Sequence, residues 1–345
     1  MSDHRGPSLY ARPAGGNLIG MRAVIAATPG GPEVLEIVER PVPEARPDEL
    51  LVRNFAAALN RADILQRRGL YPPPPGASDI LGLEFAGEVA EAGATATGFR
   101  RGDRVFGIVP GGAYAEFLTI HHRLALPIPD TFSYEKAAAT PEAFITAYEG
   151  LFTLGRLAAG EWVLVHAGAS GVGSAAIQLA AARGIHVVAT AGTAEKTAEC
   201  RRLGAAEAVN HREGDFVAAV ARATGGRGAD AVFDLVGAKY WEQNLACLRE
   251  GGRLAVIGLV GGARVTADLG IILRRRLTIA GTALRARSLD DKLEIAGRFA
   301  REVLPLLASG RLQPVLDRVF PFEEARAAHE RMEANLNTGK IILRL

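Results

Sequence analysis

The chain has 345 residues, long for a single hydrophobic core, so two domains are predicted and a small disulfide- or metal-stapled module is excluded. Lys and Arg number 40 against 38 Asp and Glu, with no basic stripe, which argues against nucleic acid and for small-molecule partners. Only two cysteines occur, Cys200 and Cys247, outside any CxxC spacing; this points to buried packing residues in a reducing compartment rather than a thiolate zinc site.

In chain order, residues 1–20, rich in Gly, Pro and Arg and without periodicity, read as a flexible extension. From Met21 to about Pro129, short apolar runs such as "AVIAA", "VLEIVE", "ELLVRNFAAAL" and "DRVFGIV" are punctuated by Gly, Pro and Asp, the pattern of an irregular, mostly β domain. After about Ala143 the rhythm changes to strands alternating with helices. "EWVLVHAG" precedes a helix to Arg183, and "HVVATAG" precedes one from Ala194 to Leu203. After "AVNH", a helix from Phe216 to Ala223, "AVFDLVG" and a helix from Tyr240 to Leu248 lead to "RLAVIGL" and a last strand, Leu277 to Arg285. This alternation predicts an α/β, doubly wound parallel sheet. A helical stretch from Ser288 to Ala308, "PVLDRVFP", a helix from Glu323 to Ala334 and the strand "GKIILRL" close the chain. No apolar run approaches the roughly 20 residues that span a bilayer. Nor does the N-terminus have the order of a signal peptide, so a cytoplasmic protein is expected.

Between "WVLV" and the first helix of the alternating segment, Gly168, Gly171 and Gly173 form G-x-x-G-x-G. Such glycines let backbone amides and a helix N-terminus approach a pyrophosphate, where the helix dipole favours negative charge. The bland alternative is a tight turn that binds nothing, but the alternating strands around the loop favour a dinucleotide. The end of the next strand decides which one. An acidic residue there would grip the ribose hydroxyls of NAD, yet no Asp or Glu lies between Glu161 and Glu195. Gly192 and Thr193, followed by Lys196, instead leave room and positive charge for a 2′-phosphate, with His211 and Arg212 as further members of the cluster. The expected cofactor is NADPH. On its own Lys196 would read as a solvated helix residue.

Several long segments, in order, carry a resemblance that extends from Met21 to Leu345: "ALNRADILQRRGLYPPPPGASDILGLEFAGEV", "HAGASGVGSAAIQL", "YWEQNLACL", "PVLDRVFP" and "HERMEANLNTGKIIL". The chain resembles the zinc-independent quinone oxidoreductase branch of the medium-chain dehydrogenase/reductase superfamily. The resemblance implies a Rossmann domain, residues 143–287, inserted into a mostly β GroES-like catalytic domain made of residues 21–142 and 288–345. It also implies transfer of a hydride from NADPH to a quinone without metal. Where zinc-dependent relatives carry a Cys and a His as ligands, this chain has Asn60 and Leu83. His121 and His122, adjacent in a predicted strand, would face opposite sides and could not share a metal.

By the same resemblance, Asn60, Asp63 and Tyr71 are the expected catalytic residues around the cleft between domains. Asn60 would also lie beside the nicotinamide, and Tyr71 would form a ring wall or donate its hydroxyl to substrate. Bland readings stand beside these: a turn former for Asn60, a helix N-terminal cap or an ion pair with Arg67 for Asp63, and an aromatic plug over "PPPPG" for Tyr71. Thr146 would reach the nicotinamide carboxamide, or bond its own helix backbone. Ser170, Gly171, Val172 and Gly173 take the pyrophosphate role, and Asn335 either contacts cofactor or caps a helix. Relatives often carry Tyr where this chain has His211, which leaves the strength of the NADPH preference open and sensitive to pH. An enoyl-thioester or α,β-unsaturated carbonyl reductase, and a non-enzymatic NADPH-binding redox sensor or structural protein, remain alternatives. A homo-oligomer, at least a dimer, is expected through the strand Leu277 to Arg285 as an apolar sheet edge.

Overall fold

The computed structural model describes residues 20–345, so the N-terminal extension expected over residues 1–20 lies outside the described residues save for Gly20. A ribbon of β1 (Met21–Ala26) and β2 (Leu35–Arg40) is followed by β3 (Glu49–Ala58), α1 (Arg61–Arg67), β4 (Glu84–Ala92), β5 (Arg104–Ile108), β6 (Phe117–His121) and β7 (Leu126–Pro127). Two helices, α2 (Tyr134–Ala138) and α3 (Pro141–Tyr148), lead into the alternating segment; the expected division between residues 142 and 143 falls within α3. There β8 (Trp162–Val165), α4 (Gly171–Ala182), β9 (His186–Ala191), α5 (Ala194–Arg202), β10 (Glu207–Asn210) and α6 (Phe216–Ala223) form the first half. The second half is β11 (Ala229–Asp234), α7 (Trp241–Cys247), β12 (Leu248–Val256), α8 (Leu269–Arg274) and β13 (Thr278–Gly281). The chain closes with α9 (Leu289–Glu302), α10 (Leu304–Ala308), β14 (Leu316–Pro321), α11 (Ala325–Glu333) and β15 (Lys340–Arg344).

The six strands β8 to β13 form one parallel sheet in the order β10-β9-β8-β11-β12-β13. Each of the first five is joined to the next by a crossover, and the order reverses beside β8, which is the doubly wound dinucleotide-binding topology. The second large sheet runs β14-β15-β3-β4-β5-β7, with β6 paired to β3. Its β14 and β15 come from the end of the chain, so the C-terminal segment completes the sheet begun by residues 49–127. Buried apolar side chains form one cluster inside this second sheet and one on each face of the parallel sheet; the largest includes Phe106, Phe144, Val165, Phe233 and Phe299 and joins the two halves. The helix α4 is built from small residues that pack closely against α3, and Ser170 caps it by accepting the Gly173 N–H at 3.0 Å.

Four expectations are corrected. The stretch from Ser288 to Ala308 is two helices, because Pro305 cannot continue the first, and Val303 is the break. The last strand of the parallel sheet stops at Gly281 rather than Arg285, since Arg285 leaves the sheet for the catalytic half of the molecule. His121 and His122 do not diverge: His122 lies past the end of β6, alternation ends there, and the rings stack at 4.9 Å. Asp63 makes no ion pair with Arg67, whose guanidinium turns to Glu333 at 2.6 Å, His329 and the Gly30 carbonyl.

Candidate active site

The glycine turn sits between β8 and α4 at the point where strand order reverses. A Cβ on Gly173 would lie 2.2 Å from the Ala167 carbonyl oxygen, and one on Gly171 2.3 Å from the Lys340 side chain, so neither position accepts a larger residue without movement. Ala167 itself takes a positive φ of 49°, holding the turn tight ahead of the helix. Beneath the turn lies a buried polar chain. Asn244 donates to Asp234 at 3.0 Å, leaving its carbonyl to accept from His166 Nε2 at 2.7 Å, so His166 Nδ1 accepts the Thr190 hydroxyl at 2.9 Å. Burial pushes His166 down to about 4, which keeps it neutral and this chain of bonds intact. Both cysteines are buried and free, and burial raises each thiol to about 12, so they are packing residues.

At the end of β9, Gly192 faces His211 Nε2 and Arg212 Nε, 3.3 and 3.6 Å from where its Cβ would be. Thr193 caps α5, accepting the Lys196 N–H. The Lys196 ammonium donates to the Asn335 carbonyl at 2.7 Å, and Arg61 donates to the Asn335 side-chain oxygen. Asn335 has φ of 55°, the left-handed cap that ends α11, so the capping reading describes it, while its two oxygens meet Lys196 and Arg61. The Lys196 pKa is lowered by burial; Asp317 opposes this, and Arg212, Arg331 and Arg61 add to it. Four cations thus crowd the site, and of the carboxylates beside them Asp317 is already paired to Arg331 at 2.5 Å and Glu333, next to Arg61, to Arg67 and Arg68. His211 is held below its ordinary value by burial first, then by Lys239 and Arg212. Next to it an open cavity of about 370 Å³ is lined by His211, Arg212, Phe216, Tyr240 and Gln243.

A second constellation lies where α1, β4, α3 and β15 meet. Asn60 precedes α1, and its backbone N–H donates to the Asp63 carboxylate at 2.7 Å, the reach-back half of a capping box. Asp63 also accepts the Tyr114 hydroxyl at 3.1 Å and is fully buried, which pushes its carboxyl up to about 6 against the opposing pull of the Asn60 N–H and Lys340. The Asn60 amide donates to Glu84 at 2.9 Å and accepts from the Lys340 ammonium at 2.7 Å; Lys340 pairs with Glu84 at 2.6 Å. Glu84 in turn accepts the backbone N–H of Glu142 at 2.8 Å. Leu83 is buried beside it and offers no lone pair. An ammonium, anchored by Asn60 Oδ1 and Glu84, therefore occupies the centre of the group that the expectation placed against the zinc ligands of relatives.

Thr146, one helical turn after Glu142, keeps 9% of its surface, and among the described residues its hydroxyl makes no hydrogen bond, so the reading in which it bonds its own helix does not hold. Tyr71 is half-buried under the Arg285 guanidinium, 5.2 Å from the ring centroid. Arg285 is 5% exposed and donates to the carbonyls of Pro110 and Tyr71 and to Gln66 Oε1, tying the end of the parallel-sheet segment to the loop that carries Tyr71. Sequence reasoning missed Arg285, Glu84, Lys340, Tyr114 and Glu142 as site residues. For Glu142 a signal was present, since it stands four residues before Thr146 in "PEAFITAY", the spacing of one helix face. For Arg285 and Tyr114 none was.

A glycine turn at a topological switch point, a basic pocket one strand further on and a mixed-charge cleft beside them define a dinucleotide-dependent oxidoreductase of the two-domain type. Comparisons with known proteins place it more narrowly. Residues 46–130 match the family model "Alcohol dehydrogenase GroES-like domain", and residues 171–299 match "Zinc-binding dehydrogenase". The chain is 35% identical over 315 residues to the quinone oxidoreductase of Pseudomonas aeruginosa, covering 91% of this chain and 96% of that one. Among solved structures, the Escherichia coli quinone oxidoreductase complexed with NADPH aligns at a TM-score of 0.84 with 32% identity, over 94% of this chain and all of that one. A structure titled NAD-dependent alcohol dehydrogenase aligns at 0.85 with 34% identity, again over 94% of this chain and all of that one. The chain belongs to the quinone oxidoreductase family of the medium-chain dehydrogenase/reductase superfamily.

Proposed function

We propose that the protein is an NADPH-dependent quinone oxidoreductase that works without a metal ion. The observation that carries the reading is the end of β9: where NAD-binding relatives of this topology need a carboxylate, Gly192 opens onto His211 and Arg212 with Lys196 beside them. The residues fit the cofactor. Ser170, Gly171, Val172 and Gly173 at the start of α4 receive the pyrophosphate; Gly192, Thr193, Lys196 and His211 receive the 2′-phosphate end, with Asn335 as the carbonyl that Lys196 releases. The cavity lined by Phe216 and Tyr240 takes the adenine side, and Thr146 and Asn60 face the nicotinamide. NADPH, when bound, supplies a hydride.

The chain's own residues position and exclude water. Quinone reduction yields an aromatic product, so placement contributes more than chemical activation. Tyr71, clamped by Arg285, forms one wall of the cleft, and Asp63 holds Asn60 and the first turn of α1 in place through the capping box. We read residues 21–142 and 288–345 as the catalytic domain around a cofactor domain of residues 143–287. A panel of para-quinones, ortho-quinones, enones and enoyl thioesters, scored by NADPH oxidation in excess chelator, tests the reading. Quinone turnover supports it. Turnover of thioesters or enones alone replaces it with the other reductase activity, and no turnover favours a binding protein; loss of activity in chelator overturns the metal-free part.

We also propose a homodimer built on β13. Among the described residues this strand ends the parallel sheet, pairing with β12 on one side only. Exposed apolar side chains gather on the segment before it: Leu259, Val260, Val265, Leu269 and Leu273. A second copy covers both the open edge and this patch in one isologous contact.

A further inference from the structure

We propose, resting on the reductase reading above, that Glu142 is the proton donor of the reaction. Along α3 almost every side chain is buried; Glu142 alone is partly exposed, and Thr146, four residues on, is the polar residue of the same face. The two side chains share that helix face, where Thr146 keeps 9% of its surface, and in the reading above it is the face turned toward the nicotinamide. Among the described residues the Glu142 carboxyl has no hydrogen-bond partner, although it lies within electrostatic reach of Asp63 on α1, Glu84 on β4, Lys340 on β15 and Arg285 and Tyr71 on the catalytic side. Three carboxyls thus surround one ammonium, and Lys340 is already committed to Glu84 and Asn60. The group cannot shed all its protons cheaply. Burial, and then the Glu84 charge, push Glu142 up to about 8, with Lys340 and Arg285 opposing, so it holds a proton at neutral pH and can release it.

The neighbouring acids are less well placed to donate. Asp63 is wholly buried; its Oδ2 accepts from Asn60 and Tyr114 while Oδ1 has no partner among the described residues, and with no exposed surface it cannot meet a substrate oxygen. Glu84 is held by Lys340 and by two N–H groups. The chemistry balances as follows. A quinone takes up a hydride from the dihydronicotinamide, which is oxidised to the pyridinium, and becomes a hydroquinone monoanion. The O–H bond of Glu142 then breaks, its electron pair stays on the carboxylate, and the proton forms the second O–H of the hydroquinone. Water reaching the partly exposed Glu142 side chain returns a proton to it.

The test compares the unmodified enzyme with Glu142→Gln and Glu142→Asp. Infrared difference spectra of the cofactor-free protein are expected to show a carboxyl band that titrates near pH 8 and is missing in Glu142→Gln. With NADPH and a para-quinone, kcat of the unmodified enzyme should fall as pH rises through about 8. Glu142→Gln should lose roughly 100-fold at low pH, the lower end of general-acid contributions, and show no such fall; Glu142→Asp should restore part of both. A band that titrates below about pH 6, or a Glu142→Gln profile identical to the unmodified one, overturns the proposal. Should Glu142→Gln fail to fold, the band and the kcat profile of the unmodified enzyme decide alone. An unmodified enzyme that oxidises NADPH with none of the acceptors offered overturns the reductase reading instead, and leaves the infrared titration unchanged.

Discussion

Lys196 shows how much one side chain is asked to do. Its ammonium rests on the Asn335 carbonyl with three arginines nearby, so a dianionic phosphate would relieve repulsion as well as accept hydrogen bonds. Lys196→Ala is expected to weaken NADPH by about 1–3 kcal/mol, the worth of a charge-assisted hydrogen bond, and to leave NADH nearly unchanged. Fluorescence titration of both cofactors reads this directly; equal losses for the two would move the phosphate elsewhere. The residue scale is also where the sequence was least complete. Lys196, His211 and Gly192 were legible because a missing acid is visible in a string of letters. Arg285 was not, because its partners, Gln66, Tyr71 and Pro110, lie far away in the chain and meet it only after both sheets form.

Among the elements, the turn into α4 is the most constrained. Gly173 has backbone, not a flexible side chain, 2.2 Å from where a Cβ would sit, so Gly173→Ala must displace either Ala167 or the helix start. The expected outcome is loss of dinucleotide binding together with a lower melting temperature, measured by cofactor titration and thermal unfolding of the same sample. Retained NADPH affinity would mean that the pyrophosphate does not lie on this turn. The capping box of α1 illustrates a different case, in which a residue expected at the cleft serves the helix as well. Asp63 binds the Asn60 N–H and is closed off by Tyr114, so its contribution to the site passes through Asn60. A helix-terminal role was open in the sequence, where Asp63 reads as a cap or as an ion-pair partner of Arg67 beside its catalytic reading.

For the whole molecule, the question is how many chains make the functional unit. An open edge at β13 beside five exposed apolar side chains leaves surface whose burial is favoured by roughly 25 cal/mol per Å². Light scattering at micromolar concentration is expected to report twice the chain mass. Ile279→Pro, which removes an amide and obstructs the edge, should shift that mass toward the monomer while NADPH binding persists as proof of fold. A monomer in the unmodified protein, or a dimer indifferent to the proline, would place the association elsewhere or remove it.

The alternation of apolar runs and helix formers after Ala143 determined the doubly wound sheet by itself, because period and glycine punctuation are local properties. The glycine turn and the absent acid after β9 were equally local, whereas the replacement of ligands at Asn60 and Leu83 came from the family resemblance. Tertiary structure alone decided that the strand after Leu277 ends at Gly281, that β14 pairs with β15 and β15 with β3, and that Arg67 turns to Glu333 and His329 instead of Asp63. It also decided the gathering of Asp63, Glu84, Glu142 and Lys340 around one cleft. The reason is physical: a carboxyl's pKa and a guanidinium's partner depend on what is packed within a few ångströms, and those neighbours come from segments as far apart as α1 and β15, which chain order does not bring together.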